Sequence, residues 1–108
     1  MSVKTELLQL VERMNENPSF IQEEKDRIFQ IDLEESGPLQ IVLENAHVEV
    51  IDGVSEDASV TLKLSDQTFS KLLRNDLNTT VAFMKGQIKV DGNIGLALKL
   101  QEIMKKYQ

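Results

Sequence analysis

Apolar positions change their spacing four times along this chain, and each change marks a switch between helix and strand. Val3, Leu7, Leu10, Val11 and Met14 recur at helical spacing, with Leu8 beside the stripe. Asn15-Glu16-Asn17-Pro18 ends that helix, because proline has no amide proton and disfavours a helical residue before it. The period then falls to two. Phe29, Ile31 and Leu33 alternate with Gln30 and Asp32, followed by the turn signal Glu35-Ser36-Gly37-Pro38. Leu39, Ile41 and Leu43 predict a second strand, and Ala46, Val48 and Val50 a third, ending at Asp52-Gly53. Ala58, Val60, Leu62 and Leu64 predict a fourth, and Ile88 and Val90 a short fifth. Such alternation implies a mainly antiparallel sheet with one wet face.

Helical signals return at Ser65-Asp66, which caps a segment carrying Phe69, Leu72 and Leu73. Asn75-Asp76 stops it. Asn78-Thr79 caps a second short helix, Val81-Ala82-Phe83-Met84, closed by Gly86. Asn93 opens the last helix, expected to run to about Tyr107. The order is helix, four strands, two short helices, strand, helix. That is an α+β domain, one sheet with helices on its single apolar face.

The last helix carries more apolar surface than a core seal needs. Leu96, Ala97, Leu100, Ile103, Met104 and Tyr107 fall within an arc of roughly 120°, an ordinary core stripe. Ile94 and Leu98 fall outside it. Leaving both in water forgoes roughly 1.5–3 kcal/mol each. They pack on the helices between residues 66 and 85, face a bound apolar ligand, or meet another protein chain. Gly95 costs about 1 kcal/mol relative to alanine inside a helix, which fits a close approach to the backbone there.

Composition narrows the chemistry. With 108 residues, one domain spanning 1–108 is expected. There is no cysteine, so disulfides, thiol nucleophiles and thiolate metal sites are excluded. His47 is the sole histidine and alternates onto the wet face, which leaves no ordinary nucleophile triad or zinc site. Glu34-Glu35 and Glu56-Asp57 point to opposite faces of an extended chain and make no carboxylate dyad. Gly92-Asn93-Ile94-Gly95 lacks the lysine and spacing of a phosphate loop. No catalytic role and no cofactor is expected.

The net charge of −6 opposes nucleic-acid binding. Residues 1–54 hold 4 basic and 12 acidic side chains, net −8, whereas residues 55–108 hold 8 and 6, net +2. The half with the unusual helix is thus mildly basic, as expected of lysines near a helix C-terminus or of a weak attraction for anionic lipid. No signal-peptide pattern or run of 18 apolar residues is present, and a cytoplasmic protein is expected.

Ala82-Phe83-Met84-Lys85-Gly86-Gln87-Ile88-Lys89-Val90-Asp91-Gly92-Asn93, followed by Leu96-Ala97-Leu98-Lys99-Leu100, closely resembles the C-terminal signature of the sterol carrier protein family, the non-specific lipid-transfer domain. Asp57-Ala58-Ser59-Val60-Thr61-Leu62-Lys63-Leu64-Ser65-Asp66 is similar to the family's fourth strand entering a helix. The resemblance covers the whole chain. It implies a five-stranded sheet with helices on one face, enclosing an apolar tunnel for fatty acid, acyl-CoA, phospholipid or sterol. By position it implies tunnel roles for Phe69 and Leu73, for Val81, Phe83 and Met84, for Ile88 and Val90, and for Ile94 and Leu98; plain core is the alternative for each. Asn75 stands near a common family glycine and can adopt the same left-handed backbone. The last helix runs almost to Gln108, leaving no tail to close a tunnel mouth, and no peroxisomal tripeptide follows it. The pattern is that of a small stand-alone, microbial member. Its expected partners are a lipid ligand and, transiently, a membrane. The competing expectation is an interaction or dimerisation module that uses the flank of the last helix.

Overall fold

The computed structural model describes residues 2–108. Helix α1 spans Val3–Glu16 and is capped by Ser2, whose Oγ accepts the Thr5 amide at 3.2 Å. Its predicted stripe is the buried face: Val3, Leu7, Leu10, Val11 and Met14. A single 3-10 turn at Pro18–Phe20 follows the proline stop. The strands are β1 (Arg27–Leu33), β2 (Gly37–Glu44), β3 (His47–Asp52), β4 (Val60–Leu64) and β5 (Ile88–Gly92). Helices α2 (Asp66–Leu73) and α3 (Thr79–Met84) separate β4 from β5, and α4 (Ile94–Lys105) closes the chain.

The sheet has the order β3-β2-β1-β4-β5. Three of its pairings are antiparallel, and β1 pairs with β4 in parallel. The register brings Phe29, Ile31, Leu39, Ile41, Val48, Leu62 and Ile88 onto one face. All seven are buried, and the helices cover them. Between β3 and β4 the chain crosses the other, helix-free face. There the Gly53 amide donates to the Pro38 carbonyl at 3.1 Å and the Ser59 amide to the Ile28 carbonyl at 2.8 Å.

Three details depart from the alternation pattern. Ala46 is not the start of β3. It lies with Asn45 in a two-residue hairpin turn, at φ 58° and 51° respectively. Positive φ at both central positions is the turn whose twist matches the flanking strands. Likewise Ala58 precedes β4, which begins at Val60. Gln30, expected on the wet face, is only 2% exposed. Its Nε2 donates to the Leu39 and Gly53 carbonyls at 3.2 and 3.1 Å, and its Oε1 accepts the Ser55 amide at 2.9 Å. One side chain therefore pins the β3–β4 crossing to the sheet.

Side-chain amides and a phenol fasten the helices. Asn15 in α1 both donates to and accepts from the Val48 backbone at 2.8 Å, covering part of edge strand β3. Tyr107 Oη donates to the Asn17 carbonyl at 2.6 Å, and its ring meets Phe20 edge-on at 5.5 Å. Glu6 accepts from Ser70 Oγ at 2.9 Å, joining α1 to α2.

Candidate functional site

Of the elements that carry the nine implied tunnel residues, α3, β5 and α4 pack together at the β4–β5 side of the sheet, and α2 packs on α1 and α4. Ser65 caps α2 by accepting the Thr68 amide at 3.0 Å. Asp66, at its first position, accepts the Glu35 and Ser36 amides at 3.3 and 3.2 Å and the Ser36 hydroxyl. Burial alone would raise its carboxyl, but these hydrogen bonds from Ser36 and Glu35 hold it below the usual carboxylate value. Helix α2 is thereby clamped to the β1–β2 turn. Asn75 has φ 55°, the left-handed conformation expected there. Asn78 caps α3 through the Val81 amide at 3.1 Å, and Gly86, at φ 75°, ends it. Asn93 caps α4 through the Gly95 amide at 2.8 Å. A Cβ on Gly95 would come within 3.0 Å of Asn93 Oδ1, so the group that crowds this backbone is the helix's own cap.

Burial divides the nine residues into three levels. Phe69 and Leu73 of α2 and Ile88 of β5 are buried in the core. Val90 of β5 and Leu98 of α4 are half-buried. Val81, Phe83, Met84 and Ile94 are exposed, Met84 by 78% and Ile94 by 41%. The predicted stripe of α4 points inward through Ala97, Leu100, Ile103 and Met104. Gln101 Nε2 donates to the Leu77 carbonyl at 3.1 Å, tying α4 to the α2–α3 connection. Thr79 is buried on the inner side of α3, and its hydroxyl has no hydrogen-bond partner among the described residues.

An apolar cavity of about 10 Å³ lies elsewhere in the same layer, between α1, the sheet and the second half of α4. Leu7, Val11, Met14, Ile21, Phe29, Ile41, Leu43, Val48, Leu100, Ile103 and Met104 line it. None of the nine implied residues is among them. In the sequence all of these positions but Ile21, which falls in no stripe, read as plain core, and nothing in their periodicity distinguishes a cavity wall from packed core. The cavity and the nine-residue region share α4, which faces one with its second half and the other with its first two turns.

The region offers apolar contact rather than reactive groups. Phe69, Leu73, Ile88 and Leu98 carry no polar side-chain atom. His47 is exposed at the start of edge strand β3. Among the described residues no three His, Cys, Asp or Glu side chains cluster as a metal site, and no helix is long and apolar enough to cross a membrane.

Residues 6–105 match the model of the SCP-2 sterol transfer family. A curated relative, hydroxysteroid dehydrogenase-like protein 2 of Rattus norvegicus, is 34% identical over 77 residues. That match takes in 70% of this chain but 15% of the relative, so the chain corresponds to a small part of a much longer protein. Palmitated SCP2L2 of Aedes aegypti, solved in solution, superposes with a TM-score of 0.72 at 24% identity, over 96% of this chain and 95% of that one. Sterol carrier protein 2 of Yarrowia lipolytica, in its apo form, gives 0.67 at 24% identity over 94% and 89%. These likenesses agree with the five-stranded sheet and its one-sided helices. With the family match running from α1 to the end of α4, the chain belongs to the SCP-2 sterol transfer family.

Proposed function

We propose that this chain binds a lipid between its sheet and its helices and transfers it without catalysing a reaction. The observation that carries this reading is the family match across residues 6–105. The ligand class is fatty acid, acyl-CoA, phospholipid or sterol, and the relative from Aedes aegypti is a palmitated one. Phe69, Leu73 and Ile88 form the floor of the site, Val90 and Leu98 its wall, and Val81, Phe83, Met84 and Ile94 its mouth. An acyl chain entering at the first turns of α4 extends along that helix toward the cavity beneath Leu100 and Met104. Burial of each methylene contributes about 0.8 kcal/mol, so affinity comes from chain length and the polar head stays at the mouth. The apolar character of these residues and the lone exposed histidine support a carrier over an enzyme.

Titration of delipidated protein with fluorescent fatty acids of several chain lengths tests this. Saturable binding that strengthens with chain length is expected. Leu98→Glu should abolish it while the circular dichroism spectrum is kept, since a half-buried carboxylate opposes an apolar chain. No saturable binding at any chain length overturns the reading.

A further inference from the structure

We propose that the outer face of α3, together with the first turn of α4, docks onto a lipid bilayer bearing anionic headgroups. The proposal rests on the carrier reading for its purpose alone, since loading and unloading need a membrane, and the surface is testable by itself. In α3 the buried residues are Thr79 and Ala82. Val81 and Met84 lie on the opposite side, three residues apart, and Lys85 follows at i+4 from Val81 on the same side. Phe83 and Ile94 extend the exposed apolar surface to the start of α4, which packs against α3.

Charge selects the partner. Residues 77–101 contain three lysines and one carboxylate, Asp91, in a chain with 18 acidic side chains. Lys99 is paired with Glu24 at 2.9 Å, which leaves Lys85 and Lys89 as the basic rim. Phe20 also has a lysine, Lys106, 5.8 Å over its ring, but that ring is packed edge-on against Tyr107; two other exposed apolar residues lie beside carboxylates. Leu8 on α1 has Glu12 one turn away, and Ile51 on β3 lies between Glu49 and Asp52. A bilayer accepts a small apolar wedge rimmed by lysine. A second copy fits less well. Self-pairing would set Lys85 near its own equivalent, and a stable protein interface needs roughly 20–30 residues a side, far more than this face offers.

Co-sedimentation with vesicles tests the surface. Vesicles of phosphatidylcholine containing phosphatidylglycerol should bind the protein, pure phosphatidylcholine should bind it less, and added salt should weaken the difference. Met84→Glu should lower binding about tenfold or more. Lys85→Glu should lower it about fivefold or more and leave the fatty-acid titration in vesicle-free buffer unchanged. Leu8→Glu, on the far acidic helix, should leave vesicle binding intact. The proposal is overturned if the protein ignores anionic vesicles, if Met84→Glu and Lys85→Glu bind them like the parent, or if sedimentation velocity shows a dimer that Met84→Glu abolishes. Vesicle binding that persists where no fatty acid binds supports the docking face and overturns only the carrier reading.

Discussion

Single polar side chains decide where this fold departs from its own sequence pattern, and Gln30 is the clearest. Alternation assigns it to solvent, because its neighbours Phe29 and Ile31 point to the helices. Alternation gives the face of the sheet and says nothing of what lies on that face. Here the β3–β4 crossing covers it, and the amide satisfies the Leu39 and Gly53 carbonyls and the Ser55 amide together. Gln30→Leu keeps the volume and removes every partner. It should destabilise the protein by about 2 kcal/mol, measured by urea unfolding, because buried polar groups lose hydrogen bonds that water cannot replace. Gln30→Glu keeps the acceptor for Ser55 but turns a carboxylate toward two carbonyls, and it should be worse than leucine. Stability equal to the parent in both variants would mean that the crossing is held elsewhere. The same limit applies at Val81, Phe83 and Met84. Four consecutive apolar residues in a six-residue helix show no period, so the buried side of α3 could not be read from sequence, and only Ala82 of the four turns inward.

Elements were far more legible than their neighbours. The stripe of α1, the caps Ser65, Asn78 and Asn93, the stop at Pro18 and the left-handed Asn75 are local signals, and each acts through groups within one turn of itself. The parallel pairing of β1 with β4 joins residues about thirty apart, and no local spacing encodes it. The β2–β3 hairpin falls between these cases. Asn45 is an expected turn residue, whereas Ala46, apolar and in phase with Val48, imitates a strand. Its φ of 58° costs an L-residue about 1–2 kcal/mol that glycine avoids. Ala46→Gly creates the preferred Asn-Gly pair for this turn. It should raise stability by about 1 kcal/mol after the greater unfolded-state freedom of glycine is subtracted. Thermal and urea unfolding check the sign; a lower stability would show that the partly buried Ala46 methyl matters more to the core than the turn does.

At the scale of the whole molecule, the helix layer has to move for a lipid to enter it. Ligand sites commonly enclose roughly 300–1,000 Å³, whereas the apolar cavity between α1, the sheet and α4 holds about 10 Å³, close to one water molecule. Enlarging it means separating helices from the sheet, and the tethers are unevenly placed. The end of α4 is held by Tyr107 Oη on the Asn17 carbonyl, by Arg13 on the Tyr107 carbonyl at 3.1 Å and by Gln108 on the Leu73 carbonyl of α2. The α3 side holds α4 through Gln101 on the Leu77 carbonyl, and α3 is six residues long. Opening should therefore begin at α3 and the first turns of α4, on the face inferred to meet the membrane. Two measurements follow from this asymmetry. Amide exchange should be faster over residues 81–86 and 96–98 than over 100–104, and bound fatty acid should slow the first group more. In stopped-flow mixing, the observed binding rate should level off at high fatty-acid concentration, where opening limits it. A rate that climbs linearly without a plateau, together with uniform exchange along α4, would mean that the lipid enters a site already open, and the sheet–helix layer would then not be the barrier to loading.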